Sequence, residues 1–458
     1  MLVIVFGSII MILFGGILNF ILTQIKTSGQ RVAFEQSIYI AEAGVDYYKW
    51  CINHNIDDCL LEQDYFDSYG QSIGGFSIAE NANKSCGQTI SKEIIATGWT
   101  KNYPDVKRKV SVVYGRPSIA KYSYFLNDSV WAGDDRQIRG LYHSNNGIRM
   151  DGTNYSLVTS YLPEWICTSS FGCSPCPTNK GCRISENKCY CPGVFTTTNN
   201  AKQELFHFPS DYFDFAGITI DLNDIKEAAE DNLSYFPYST DIDPQAKGYH
   251  VKLKDNGDYE VWIITQLSYV SGYSLEEGWQ NDYFIISNEY LYGTYAINPA
   301  CAAIFFEDDL WIEGTLKGKA TIASADLISS TDETNIILPG SIFYTANNGE
   351  DELGLISEKN ILISPVSPDT MTLNGGFIVQ SGRFGRNHYV NNIRNLLTMY
   401  GATISCNRTG TQWTSGSQIV SGYMVREDYV DNNLIYSAPP FFPYLDLDFR
   451  VIKWEEII

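Results

Sequence analysis

The first 25 residues contain no charged side chain, and the first charge along the chain is Lys26. An apolar run of this length suffices for a helix that crosses a bilayer. Gly7, Gly15 and Gly16 are compatible with such a span, because small residues let membrane helices pack closely. The run is too long for a cleaved signal peptide and has no basic segment before it. We therefore expect a membrane-inserted helix here.

The helical pattern continues beyond this apolar run. Residues 26–53 contain no proline, and apolar side chains recur there at roughly helical spacing. The sequence therefore predicts a single helix over residues 1–53, about 80 Å long at about 1.5 Å per residue. Its first half is apolar and its second half amphipathic. Such a helix fits in lipid or, after extraction from lipid, in the core of a filament.

A short block of small residues interrupts the polar part of this helix. The segment 29–44 ends in Ala41, Glu42, Ala43 and Gly44. Together with the apolar run, this segment resembles the N-terminal helix of PilX-type minor pilins, in which an apolar span precedes a polar stretch ending in a similar block. The resemblance implies other pilin subunits and the membrane as partners, and a head outside the cell membrane, at the cell surface.

Two features of the helix depart from the pilin pattern. Val5 stands where most pilins carry a glutamate, and no basic leader ending in glycine precedes the apolar run. We therefore expect either a processed chain or an incomplete start.

The rest of the chain has the composition of a β-rich protein, with 14% aromatic and 19% charged residues. The predicted class is α+β, mostly β. Residues 54–120 predict a small pilin-like α/β head. Short apolar runs in 121–160 and 300–458 predict one body, either a β-solenoid or a β-sandwich. Residues 161–299 form a predicted insertion with a short helix and a β-hairpin that turns at Asn256–Gly257.

The body carries a second resemblance, to uncharacterised large pilin-like bacterial surface proteins that join a PilX-type helix to a β-rich head. It implies no established activity. The segments that carry it are 131–134, 148–154, 353–360 and 382–388.

Cysteines are concentrated in the predicted insertion. A three-disulfide module is predicted for residues 167–191, and its fifteen possible pairings stay open; a zinc site is the alternative. A further disulfide is predicted between Cys51 and Cys59, and the other three cysteines leave at least one thiol free or buried. This usage indicates an oxidising compartment. The six cysteines of the module are Cys167, Cys173, Cys176, Cys182, Cys189 and Cys191.

The sequence contains no recognisable catalytic constellation. Neighbouring carboxylates occur at Asp134–Asp135 and Asp308–Asp309, but adjacent residues of a strand point to opposite faces and cannot act as a pair. The formal charge of −21 disfavours nucleic-acid binding. We expect no enzyme, no catalytic or cofactor-binding residue and no metal site. Calcium binding by the acidic loops 307–309 and 350–352 stays open as an alternative.

These features favour a structural and interaction protein, namely a type IV pilus-like subunit of the minor-pilin kind at the cell surface. A head this large would crowd a dense filament, so a position at the tip or a sparse distribution is expected. Its role would be adhesion, to a surface glycan or another cell, or assembly. The alternative is a membrane-tethered protein that binds or cleaves an extracellular glycan.

Overall fold

The computed structural model describes residues 2–54, 56, 59–215, 222–329, 333–416, 418–445 and 448–457, without the side chains of 2–5 and 85. The chain divides into two compact units. The first comprises Met1–Asn83, Thr89–Arg116 and Leu447–Ile458, and the second comprises Lys84–Gln88 and Pro117–Asp446. A long apolar N-terminal helix followed by mostly β structure confirms the predicted α+β class.

The helices are α1 (Leu2–Asn53), α2 (Leu222–Asp231), α3 (Ser239–Ile242) and α4 (Asn432–Tyr436). Short 3-10 helices span Ile119–Lys121, Ser169–Phe171, Thr178–Lys180 and Gln203–Leu205. The strands up to the first long arm are β1 (Glu62–Phe66), β2 (Ser72–Ser85), β3 (Gln88–Thr100), β4 (Tyr103–Gly115), β5 (Tyr122–Leu126), β6 (Val130–Ala132), β7 (Arg136–Ile138), β8 (Leu141–Ser144), β9 (Ile148–Met150), β10 (Thr153–Asn154), β11 (Val158–Ser160), β12 (Glu164–Ile166), β13 (Arg183–Ser185), β14 (Lys188–Pro192), β15 (Val194–Phe195), β16 (Phe206–His207), β17 (Tyr235–Phe236) and β18 (Tyr249–Leu253). The strands after it are β19 (Asp258–Ser274), β20 (Gly278–Ala296), β21 (Ala303–Phe306), β22 (Leu310–Leu316), β23 (Lys319–Ser324), β24 (Ile336–Leu338), β25 (Ile342–Tyr344), β26 (Glu352–Ser357), β27 (Ile361–Ile363), β28 (Thr370–Val379), β29 (Phe384–Gly385), β30 (His388–Tyr389), β31 (Ile393–Ser405), β32 (Gln412–Ser415), β33 (Gln418–Tyr429) and β34 (Arg450–Ile457).

In the first unit, the second half of α1 packs on an antiparallel sheet of order β1-β2-β3-β4-β34. Alternate residues of β3 are buried, as expected for a sheet with one face on a core. The helix contributes Ile40, Ala41, Val45 and Tyr48 to that core. The sheet contributes Phe76, Ile78, Ile94, Ala96, Val110, Val112 and Tyr114, and Phe449, directly before β34, completes the core.

The second unit is a stack of short parallel strands. One ladder passes through β17, β21, β23, β26, β28, β31, β5, β8, β11 and β16 in that spatial order. The column Ile322, Leu355, Phe377 and Thr403 shows the register, each residue lying beside the next in the ladder. Stacked coils of this kind bury one continuous core of inward side chains.

Further parallel ladders lie beside the first. One passes through β18, β22, β24, β27 and β29, another through β22, β25, β28, β31, β33, β7 and β10, and a short one through β6, β9 and β15. Sandwiches are built from antiparallel strands, so this pairing is that of a solenoid-like body.

The order of the coils differs from the order of the chain. The chain enters the stack at β5, which pairs with β31, and builds in one direction to β16. It then resumes at the far end with β17 and returns to β31. This explains why segments 121–160 and 300 onward, distant in sequence, belong to one body.

Two sequence-based boundaries differ from the structure. The residues after 447, assigned to the body, belong to the first unit, because β34 pairs with β4 and Phe449 enters its core. The predicted insertion 161–299 also contributes β16, β17 and β18 to the ladders. The Cys-rich module and the arm formed by β19 and β20 depart from the stack.

Candidate functional site

The first half of α1 presents a continuous apolar surface. Every described side chain from Phe6 to Ile25 is exposed, including phenylalanine, isoleucine and leucine on all sides of the helix. By length and composition, this helix can cross a membrane. An exposed apolar surface of this extent marks contact with a membrane or with another apolar partner.

The Ala41–Gly44 block lies where α1 meets the sheet. Ala41 and Gly44, three positions apart and therefore on one face of the helix, are buried, while Glu42 and Ala43 are half-buried. A Cβ atom on Gly44 would approach the ring of Phe76 to 2.8 Å. The small residues of this block therefore permit close packing of the helix on its own sheet.

Glycine on the sheet side completes this close approach. A Cβ atom added to Gly98 of β3 would overlap the backbone of Ser37 and Ala41 and lie 3.0 Å from the Ala41 Cα. Van der Waals contacts between carbon atoms are normally near 3.5–4.0 Å. Gly98 is therefore required for the observed distance between α1 and β3.

Polar contacts hold the same part of the helix. The Oγ of Ser37 donates a hydrogen bond to the carbonyl of Val106 at 2.9 Å. Arg108 of β4 stacks on the ring of Phe34, 4.2 Å from its centroid, and its Nε donates to Glu456 of β34 at 2.6 Å. The second half of α1 is thus held by the sheet, whereas the described side chains from Phe6 to Ile25 are exposed.

The predicted disulfide cysteines are all paired. Cys51, near the C-terminal end of α1, is bonded to Cys59, which lies beyond the end of the helix. In the module, β12, β14 and β13 form a small antiparallel sheet, and Trp165 packs among the sulfur atoms. The pairs there are Cys167–Cys173, Cys176–Cys189 and Cys182–Cys191.

The three remaining cysteines were not assigned from the sequence. Cys86 is bonded to Cys301, and Cys406 is free and half-buried. Among the described residues, the groups of three side chains placed closely enough for an ion are sets of module cysteines, all of which are in disulfides.

The neighbouring carboxylates take part in structural hydrogen bonds. Asp135 accepts two hydrogen bonds from Arg426, at 2.8 and 2.5 Å, whereas Asp134 is exposed. Asp308 accepts from the Ser239 hydroxyl at 2.6 Å. Asp309 accepts from the Asn335 backbone at 2.7 Å, and burial raises its pKa to about 6.

Carboxylates of the two acidic loops, 307–309 and 350–352, also accept hydrogen bonds from protein groups. Asp351 accepts from the backbone amides of Gly318 and Ala346 and from the Thr345 hydroxyl, at 2.6–2.9 Å. Glu307 pairs with Lys226 and accepts from the Leu327 amide at 3.0 Å. These carboxylates therefore hold neighbouring coils together.

The body contains a pocket that the sequence does not predict. It has a volume of about 60 Å³ and lies beside the tip of the β19–β20 arm. Arg383, which belongs to the segment 382–388 that carries the second resemblance, lines this pocket. The pocket is lined by Leu275, Glu276, Arg383, Arg408, Thr409, Gly410, Gln412 and Trp413.

No protein-family model matches the chain, and no curated protein matches it. Among solved structures, the competence-associated pilin ComZ from Thermus thermophilus is similar, with 12% sequence identity and a TM-score of 0.31. The alignment covers 93% of this chain and 98% of the ComZ chain. A TM-score this low does not establish a common fold, so we draw nothing from it about this chain.

Proposed function

We propose that this protein is a pilin-like structural subunit of the minor, PilX-like kind, held first in the cell membrane and then in the core of a filament by the first half of α1. Other pilin subunits are its partners through this helix. Its folded units lie outside the cell membrane and serve adhesion or assembly.

One observation carries this proposal: a single unbroken helix is apolar and exposed over Phe6–Ile25 and closely packed on a sheet over its second half. Burial of apolar surface contributes about 25 cal/mol per Å², so such a surface favours lipid or the apolar side chains of neighbouring helices over water. Because the second half of the helix is integral to a folded unit, whatever binds the first half also positions that unit.

The disulfides support an oxidising location for the folded units, since cytosolic proteins rarely keep them. A role without catalysis is supported by the engagement of Asp135, Asp308 and Asp309 with protein groups.

Filaments sheared from cells test this proposal. Leu18→Arg places a charge in the apolar half of α1, at a cost of about 2.5–3.5 kcal/mol near the middle of a membrane helix. We expect this variant to be lost from the sheared filaments. Gln36→Arg, in the exposed polar part of the helix, is the matched control and should remain. Recovery of both variants at the level of the unchanged protein would refute helix-driven assembly.

The tethered alternative makes a different prediction for a chain lacking residues 1–25. A pilin-like subunit without this segment should be absent from filaments. A tethered glycan-binding or glycan-cleaving protein would keep its full activity in solution and would never have been found in filaments.

A further inference from the structure

The pocket described above lies where three parts of the second unit meet. The arm tip, Leu275 and Glu276, forms one side, and the coil segments around Arg383 and Arg408 form the other. The arm is held against the stack by antiparallel pairing of Gly272 with Tyr389 and Tyr273 with His388. Arg408 also donates to the Ser170 carbonyl of the Cys-rich module, at 3.0 Å. The walls of the pocket are therefore fixed by the fold.

The two arginines that line the pocket carry more positive charge than the one lining carboxylate, Glu276, can neutralise. Arg383 pairs with Glu276, whose Oε2 lies 3.2 Å from its Nε. Among the described residues, Arg408 has no ion pair within contact distance, although Asp128 and Glu276 act on it from further away. Its buried Nη1 has no hydrogen-bond partner among the described residues. Arg408 therefore brings to the pocket lining a guanidinium charge that no ion pair among the described residues neutralises.

Another arginine, Arg386, adjoins the pocket through its backbone amide, which donates to the carbonyl of the lining residue Gly410 at 2.8 Å. Arg386 is fully buried, and its guanidinium donates to Asn392 and Ser421 instead of to a carboxylate. Burial lowers its pKa to about 10 and also lowers the pKa of Arg408. Both shifts are caused mainly by burial, which disfavours the charged form of a guanidinium group.

Aromatic side chains extend from the pocket to the surface. Trp413 lines the pocket, and its Nε1 donates to the Arg386 carbonyl at 2.8 Å. Its ring is in contact with Tyr273 and His388, with centroids 5.6 and 5.9 Å apart. Both of these rings also contact Trp279, which is 58% exposed. An exposed tryptophan supplies a flat apolar face beside a charged pocket.

The volume of the pocket decides which part of a ligand it can hold and which part must lie against the aromatic side chains. A bound water requires about 10–15 Å³ on this measure, so about 60 Å³ accommodates a carboxylate with its hydrogen-bond partners but not a whole sugar ring. Arginine is the side chain best suited to a carboxylate, because its planar donors match both oxygens. The ring that carries the carboxylate would then lie outside, against the aromatic side chains.

We propose that this pocket binds the carboxylate of an acidic sugar, with the sugar ring stacked on the aromatic surface of Trp413 and Trp279. Arg408, which lines the pocket, contributes the positive charge of its guanidinium group to the carboxylate. The glycan is a uronate- or sialate-type saccharide. Glu276 competes with the ligand for Arg383.

Calorimetry on the full chain in detergent tests this site, with trigalacturonate and sialyllactose as probes. Each probe has a neutral counterpart, the methyl ester of trigalacturonate and lactose. We expect binding of at least one acidic probe and at least a tenfold weaker affinity for its neutral counterpart. Absence of binding by both acidic probes, or equal affinity for the neutral counterparts, would overturn the proposal. Equal affinity for pentaglutamate would show an acidic-peptide site and also overturn it.

Single substitutions test whether the saccharide binds at this pocket. Trp279→Ala changes an exposed side chain and should weaken the affinity at least tenfold, while Trp50→Ala, in the first unit, should not. Arg408→Gln should also weaken the affinity at least tenfold, whereas its control, Arg183→Gln, should not. Circular dichroism checks that the Arg408→Gln variant is folded. Glu276→Gln removes the competing carboxylate and should strengthen binding, whereas Glu277→Gln should not. Unchanged binding by Trp279→Ala and Glu276→Gln would refute the site. None of these results depends on filament assembly, so the site and the proposed function fail separately.

Discussion

Gly98 of β3 lies against Ala41 of α1 so closely that a Cβ atom on the glycine would be 3.0 Å from the Ala41 Cα and would overlap the helix backbone. Backbone atoms on both sides form this contact, so no side chain can rotate to relieve it. The Gly98→Ala variant should therefore lower the free energy of unfolding of the first unit by about 1–3 kcal/mol, the usual cost of overpacking.

Chemical denaturation of the full chain in detergent, followed by a probe in the first unit, measures this change. Gly15→Ala is the matched control, because a Cβ there meets nothing within 4 Å. A Gly98→Ala variant as stable as the control would contradict the close packing of α1 on β3.

The C-terminal strand should contribute strongly to the first unit. Phe449 is 5% exposed and lies in its core, so Phe449→Ala should destabilise that unit by about 3–5 kcal/mol. Trp454→Ala, on the strand β34 that directly follows Phe449, is the control, since that side chain is 48% exposed. Calorimetric melting of both variants checks this prediction. Equal effects would mean that β34 does not pack as described.

The pH dependence of stability should contain a contribution from Glu352. Burial, with the charge of Asp431, raises the pKa of its carboxyl to about 9, and burial lowers the pKa of the nearby Lys319. The folded protein thus keeps a proton that the unfolded chain releases near pH 4.3. Stability from this group is fully present below that pH and is lost as pH rises toward 9.

Glu352→Gln removes this dependence and should be more stable than the unchanged protein at pH 7–8, by at least about 1 kcal/mol, with little difference near pH 4. Urea titrations at several pH values measure it. The exposed neighbour Glu350 offers a control, and Glu350→Gln should leave the profile unchanged. A Glu352→Gln variant that is less stable at pH 8 would show that the carboxylate is charged in the folded state.

We expect the protein to contain one free thiol. Non-reduced protein, once unfolded, should take up one equivalent of iodoacetamide, at Cys406. Before unfolding the reaction should be slow at neutral pH, because burial raises the pKa of this thiol and the thiolate is the reactive form. Peptide mass spectrometry identifies the labelled position. Labelling at Cys86 or Cys301 would contradict their disulfide.

The sequence predicted features that depend on neighbouring residues. The helix followed from an uncharged run and the absence of proline, and its end at Asn53 agrees with the pattern. The structure adds the reason for the Ala41–Gly44 block, which is the close approach of the helix to β3 and Phe76.

Features formed by distant residues were not predictable in this way. The module cysteines allow fifteen pairings, and spacing alone does not select one. The assignment of β34 depends on its pairing with β4, and Arg108 and Glu456 are 348 residues apart. The pocket combines Glu276, Arg383 and Arg408 from separate segments, none of which carries a motif.

The most direct test of the proposed function is immunogold electron microscopy of intact cells, with an antibody against the second unit. The apolar first half of α1 and its continuity with a folded unit predict label on filaments, concentrated at their ends or sparse along them. Label spread over the cell envelope, with none on filaments, would contradict a pilin-like subunit and leave the helix as a membrane anchor alone.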